Sequence, residues 1–233
     1  MNEILATIIT FALALGFLRL MDFLAQRGWI DSRLSRKLIH IGTGPLFVLC
    51  WLLFPNTPEA RWLAALVPFM IVVQFALVGL GVMKDEAAVQ AMSRNGDRRE
   101  ILRGPLFYGI VFVILTLVFW KNSPVGMSAL MLMCGGDGLA DIVGRRVASP
   151  KLAWSGEKSV AGSASVFIGG WLLTALILFI YVSLGVFTKP FAGYLLPITW
   201  VVLTGTLVES LPHRDVDNIT VTLAAVIVGL FVF

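Results

Sequence analysis

The run from Val160 to Val186 reads VAGSASVFIGGWLLTALILFIYVSLGV and carries no charged side chain. A helix needs roughly 20 predominantly apolar residues to cross about 30 Å of hydrocarbon, and this run exceeds that length. A helix that is apolar all round belongs in a membrane or a large core. Working outward, the same reading applies to Glu3–Ala25, Lys37–Phe54, Arg61–Met83, Pro105–Trp120, Pro124–Val143, Phe191–Glu209 and Asn218–Phe233. The second of these starts in polar sequence and the last is short. The expectation is therefore an all-α, polytopic transmembrane bundle of about seven to eight spans.

Composition agrees. The chain is 58% hydrophobic and 14% charged, with a mean hydropathy of +0.89, whereas soluble domains use about 25% charged residues. With 233 residues spread over these runs, no separate soluble domain fits, and residues 1–233 are expected to form a single integral-membrane domain. The first run has Glu3 and no base before it, with Arg19, Arg27 and Arg33 after it. That order is the reverse of a secretory signal, so the run is expected to stay as a transmembrane helix. Cys50 and Cys134 lie inside apolar runs without paired spacing, which suggests neither a disulfide framework nor a thiolate metal site. No nucleic-acid partner is expected; the bulk lipid is the chain's surroundings.

With eight spans, the connections after the first, third, fifth and seventh share one side. Only Arg61, Lys121 and Lys189 of the 18 Lys and Arg residues fall on the other. The positive-inside rule makes the crowded face cytoplasmic, or stromal in a plastid. Asp97, Asp137, Asp141, Glu209 and Asp217 accompany the bases there. Orientation needs only bases, so acids interleaved with them point to a site that handles an anion and its metal.

The strongest such feature is Gly135-Gly136-Asp137-Gly138-Leu139-Ala140-Asp141-Ile142-Val143-Gly144-Arg145-Arg146. On a helix Asp137 and Asp141 stand one turn apart on one face. Such a pair can hold Mg²⁺ and leave positions for water and nucleotide phosphate. Gly136 and Gly138 permit close backbone approach, and Arg145 can meet a phosphate. The competing reading is a pair of acids neutralised by Arg145 and Arg146 at a helix end. Next comes Trp154-Ser155-Gly156-Glu157-Lys158-Ser159-Val160-Ala161-Gly162-Ser163, just before the long run. A helix N-terminus offers amides and partial positive charge to a phosphate, Lys158 adds a full charge, and Ser159, Gly162 and Ser163 add hydroxyls and space. It is not a Walker A loop, because the Gly-x-x-x-x-Gly before Lys-Ser is missing.

Three further clusters are expected on the same face. Arg36-Lys37-Leu38-Ile39-His40 puts Arg36 and His40 on one helix face with Lys37 beside them. The two bases could bind phosphate and His40 could accept a proton from an alcohol, or the bases could be topogenic and His40 a packing residue. Ser93 to Pro105 contains Arg94, Asp97, Arg98 and Arg99. These are candidates for phosphate binding and, at Asp97, for catalysis, against a solvated, self-paired loop. Glu209 ends one apolar run, and Asp217-Asn218 opens the next, where they could also serve as caps.

Together these residues resemble the phytol kinase branch of the polyprenol kinase family, related more loosely to dolichol kinases and CDP-diglyceride synthases. The resemblance runs through Arg36–His40, Ser93–Glu100, the Arg-Gly-Pro-Leu-Phe-Tyr-Gly stretch Arg103–Gly109, the Asp137 block, Lys158–Ser163 and Glu209-Ser210-Leu211-Pro212. It implies transfer of the γ-phosphoryl group of CTP to phytol or a related isoprenoid alcohol, with Mg²⁺, giving phytyl phosphate and CDP in the salvage of chlorophyll-derived phytol toward tocopherol. One departure is Val216-Asp217-Asn218, where many relatives have Asp-Asp-Asn, with Thr222 where a proline often follows. Asp217 and Asn218 stay credible ligands, and Asp215 is a poor substitute. A CTP-dependent lipid cytidylyltransferase would use the same groups. An anion transporter would instead be expected to have a midplane site between repeats.

Cysteines placed at Ser93, Ser149 and Arg214 should all react with a membrane-impermeant reagent from one side of sealed vesicles. Labelling from opposite sides would dismantle the shared face.

Overall fold

Each apolar run becomes a helix because a backbone in hydrocarbon must satisfy its amides within the segment. The computed structural model describes Met1 to Phe233 except Arg94, Gly156, His213, Arg214 and Asp215, and the side chains of Asp22 and Ser32. The described residues are helical, without a strand, and resolve into two compact units, Met1–Leu117 and Val118–Phe233. Among them seven helical stretches are long and apolar enough to cross a membrane: Glu3–Gln26, Arg33–Leu53, Ala60–Leu80, Arg98–Val118, Pro124–Arg146, Val160–Ser183 and Ala192–Glu209. The eighth expected run forms a shorter apolar helix, Asp217–Val232, of 16 residues, which at 1.5 Å per residue is about 24 Å long.

The first unit contains α1 (Glu3–Gln26), α2 (Ser32–Cys50), α3 (Ala60–Leu80), the short α4 (Glu86–Met92) and α5 (Gly104–Val118). Here α1 packs on α2 and α3. The second helix starts earlier than its apolar run, because the Asp31 carboxylate accepts from the Leu34 amide at 2.8 Å and caps a polar first turn. Its Arg36, Lys37 and His40 thus sit on a formed helix. Gly81 ends α3 at φ 80°, a left-handed cap suited to glycine. The Arg98 guanidinium packs against that cap, at the negative end of the helix dipole.

The second unit contains α6 (Pro124–Met131), a π-helical turn (Leu132–Asp137), α7 (Gly138–Arg146), α8 (Val160–Ser183), α9 (Ala192–Glu209) and α10 (Asp217–Val232). The span Pro124–Arg146 is its centre, with Met127 and every residue from Ala129 to Cys134 fully enclosed. Around it, α8 packs on the π turn, α7 and α9, while α10 packs on α6 and α9. Lipid tails give helices no hydrophobic reason to associate, so close approach of small residues does the work. A Cβ on Gly135 would lie 2.9 Å from the Gly169 carbonyl oxygen, and one on Gly169 would lie 2.8 Å from that of Gly135. The Leu132 side chain fills the space over Gly170 of α8 and Gly205 of α9. On the outer face of α8, Ile168, Leu172, Leu176 and Phe179 are all more than half exposed at helical spacing, the stripe expected to meet lipid.

Gly135→Val should therefore force two backbones apart and destabilise the second unit by about 1–3 kcal/mol, the usual cost of overpacking. Gly16→Ala, where nothing stands within 4 Å, should be neutral or slightly stabilising. Thermal unfolding in detergent measures both.

Candidate active site

The second unit gathers charge at one end of its helices. Lys158, in the loop before α8, sets its Nζ 2.9 Å from Glu209 Oε1 and 3.4 Å from Asp217 Oδ2. It also donates to the main-chain carbonyl of Glu209. Asp137 is close enough for its charge to act on Glu209, as is Asp217. Three of the expected site residues, from the loop, the end of α9 and the start of α10, thus form one cluster. The Glu209 side chain is nearly enclosed, at 7% exposure. A carboxylate that deep keeps its charge only with a partner, which Lys158 supplies.

The 147–159 loop is built to deliver that lysine. Lys151 and Ser159 form an antiparallel bridge, and the Leu152 amide donates to the Lys158 carbonyl at 2.9 Å. Lys151 Nζ donates to the Glu157 carbonyl at 2.6 Å. Trp154 Nε1 donates to Ser210 Oγ at 3.0 Å, fastening the loop to the end of α9. The Lys158 amide in turn donates to Ser155 Oγ at 3.3 Å.

The start of α8 differs from the sequence expectation in one respect. Its first amides are already used: Val160 donates to the Pro150 carbonyl, Ala161 to Ser149 Oγ, Gly162 to Ser159 Oγ and Ser163 to the Ser159 carbonyl. Loop and cap satisfy the groups that the sequence offers to a phosphate. Ser159 is a buried N-cap. The Lys158 ammonium is paired with Glu209 and Asp217, and the Ser163 hydroxyl is a buried oxygen without a hydrogen-bond partner. Gly162 lies against Gly144 and the Ala140 carbonyl, so it brings α7 and α8 together.

Asp137 closes the π turn and Asp141 follows one helical turn later. Single π turns recur at functional sites, because the extra residue re-aims the side chains that follow. Asp141 accepts from Arg145 Nε at 2.7 Å, with Arg145 largely exposed. That part of the neutralised-pair reading holds. Gly136 packs toward Val166, where a Cβ would stand 2.9 Å from its Cγ1; Gly138 is buried. Asn218 follows Asp217 in the first turn of α10.

In the first unit the remaining candidates take more structural roles. Asp97 Oδ1 accepts from the Arg99 amide at 2.9 Å and caps the short helical turn Arg98–Leu102. Asn95 Nδ2 donates to Glu100 Oε1 at 3.0 Å, so much of this loop is self-paired. Arg99 is exposed. Arg36, Lys37 and His40 are half-buried on α2. Arg94, His213 and Asp215 lie outside the described residues. Sequence reading did not single out Trp154, Ser155, Ser210 or Tyr108. Their signal was position: each lies inside or beside a motif that was noted for other residues.

A π-wound, glycine-packed bundle of apolar helices in which two carboxylates hold the loop residue Lys158 is the frame of a membrane-embedded enzyme. The chain is 44% identical to a probable chloroplastic phytol kinase of Triticum aestivum, covering 98% of this chain and 77% of that one. It is 43% identical to probable phytol kinase 1 of Oryza sativa subsp. japonica, covering 100% and 75%. It is 37% identical to the chloroplastic farnesol kinase of Arabidopsis thaliana, covering 100% and 76%. The chain belongs to the phytol kinase family. No family model matches it, and no solved structure does.

A double-mutant cycle tests the ion pair. Lys158→Met and Glu209→Gln should each destabilise the protein, and the double variant should lose less than their sum, with a coupling of about 1–3 kcal/mol. Additive losses would mean that the two groups do not interact.

Proposed function

We propose that the protein is a CTP-dependent isoprenoid-alcohol kinase that transfers the γ-phosphoryl group of CTP to phytol or a close relative. The observation that carries this is family membership across nearly the whole chain, at 43–44% identity to relatives named as phytol kinases. The charge cluster supports it. Phosphoryl transfer needs mainly positioning and neutralisation of phosphate charge, and Lys158 offers a cation whose place is fixed by Glu209 and Asp217.

The reaction forms a bond from the alcohol oxygen to the γ-phosphorus and breaks the bond from that phosphorus to the β,γ-bridging oxygen. Phytyl phosphate and CDP leave, and the hydroxyl proton passes to a base. Lys158 would hold phosphate oxygens, and the buried Ser163 hydroxyl would donate to one of them. Arg145 is proposed as a further phosphate contact.

The donor set fits magnesium. Asp137 and Asp141, one helical turn apart, bring hard oxygen donors of the kind it takes. Among the described residues no three His, Cys, Asp or Glu side chains form a ready metal cage. That is compatible with Mg²⁺, which uses one or two carboxylates and takes its other ligands from water and phosphate. Asp137 and Asp141 are the proposed holders. When bound, the metal would neutralise the β- and γ-phosphate oxygens. The polar end of the second unit would face the cytoplasm, or the stroma in a plastid.

With purified protein, CTP labelled at the γ-phosphorus should pass its label to phytol, and CTP labelled at the α-phosphorus should not. Asp137→Asn should lower that transfer by at least about a hundredfold while leaving membrane insertion intact. Entry of α-label into phosphatidic acid, with no γ-label in phytol, would identify a cytidylyltransferase instead.

A further inference from the structure

Three membrane-crossing stretches of the second unit end at one boundary: Pro124–Arg146 stops at Arg146, Val160–Ser183 begins at Val160, and Ala192–Glu209 stops at Glu209. The loop between Arg146 and Val160 is fastened to that boundary twice. Lys151 bridges Ser159, the cap of α8, and the Val160 amide donates to the Pro150 carbonyl at 3.0 Å. Farther along, Trp154 Nε1 donates at 3.0 Å to Ser210 Oγ, one residue past the end of α9. A loop held at both points lies along the helix ends and does not swing out into water.

What this loop shows to its surroundings is apolar and basic. Trp154 is 59% exposed, Val147 49% and Val160 48%. Because the indole N–H is spent on Ser210, the exposed part of Trp154 is hydrocarbon with no hydrogen bond to offer water. The outer face of α8 that carries Ile168, Leu172 and Leu176 runs back at four-residue steps through exposed Ala164 to Val160, so the lipid-facing surface continues up to the loop. Beside these apolar groups Arg146 and Lys151 are exposed, with Glu157 the one exposed acid on the loop. Lys151 Nζ reaches only the Glu157 main-chain carbonyl among printed partners, which uses one of its three hydrogens. Arg145 is already offset by Asp141. Two bases against one acid leave the surface positive.

We propose that the surface formed by Arg146, Val147, Lys151, Trp154 and Val160 binds anionic lipid headgroups, with the two bases at the headgroup anion and Trp154 in the adjoining acyl region. An apolar ring and flexible bases at the depth where spans end suit that layer, since a lipid supplies both the anion and the chain beside it. The inference goes beyond the kinase reading and does not depend on it, because none of these residues is assigned to nucleotide or metal. The same loop carries Lys158, whose carbonyl accepts from the Leu152 amide at 2.9 Å, so bound headgroups would brace the frame on which that lysine stands.

The test uses the full chain in nanodiscs of phosphatidylcholine and phosphatidylglycerol, with a spin label near the top of an acyl chain of one lipid or the other. The sequence has seven tryptophans, so the emission lost in Trp154→Phe isolates Trp154. That emission should be quenched by both labelled lipids, and more strongly by labelled phosphatidylglycerol. The preference should fall about fivefold for each of Arg146→Gln and Lys151→Gln, and it should shrink as salt is raised around the unaltered chain. Arg146→Lys and Lys151→Arg keep the charge and should keep the preference, which controls for misfolding. Equal quenching by the two lipids would overturn the inference, as would quenching of Trp154 by aqueous iodide alone, which would place the loop in water. Loss of the preference to inorganic phosphate at matched ionic strength would show a soluble anion, not a lipid, to be the ligand.

Discussion

An ammonium at the edge of a low-dielectric bundle must be paired, and the pairing of Lys158 organises the polar end of the second unit. Its partners are the side chain and carbonyl of Glu209, at the end of α9, and the carboxylate of Asp217, at the start of α10. One charge therefore joins the loop to two helix ends 51 and 59 residues further along the chain. The loop that carries it spends its own amides and hydroxyls on holding shape, through the Lys151–Ser159 bridge, the Ser149 and Ser159 oxygens and the Trp154–Ser210 bond. Such preorganisation is what phosphoryl transfer asks of a protein, since an electrostatic site gains most when it need not rearrange as charge moves.

Beneath that cluster the packing is set by missing side chains. Gly135 and Gly169 bring two backbones into contact, and Leu132 fills the hollow over Gly170 and Gly205. The central span is held on several sides, and its π turn ends at Asp137 and leads into α7, where Asp141 pairs with Arg145. Small-residue contacts fix the helices in register.

The spans were legible in the sequence because apolar length is a direct consequence of bilayer thickness, and the helix ends fell within a few residues of the runs. Asp31 moved the start of α2 back by a capping bond that composition does not reveal. Other features depend on long-range geometry. Nothing local says that Lys158 meets Glu209, separated by 51 residues. The first amides of α8 look available in the sequence, and only the fold shows Pro150 and Ser149 already using them. Asp97 looked chemical and caps a short turn, because Asp is equally suited to both tasks. The π turn has no sequence signature beyond its paired glycines.

The central claim is that nucleotide binds at the Lys158 cluster. Photolabelling with an azido derivative of CTP, followed by peptide mapping, addresses it directly. The account expects Mg²⁺-dependent label, displaced by excess CTP, on peptides spanning Asp137 to Ser163 or Glu209 to Asn218, and its loss in Lys158→Met. Specific label confined to other segments, or label that persists undiminished in Lys158→Met, would contradict it.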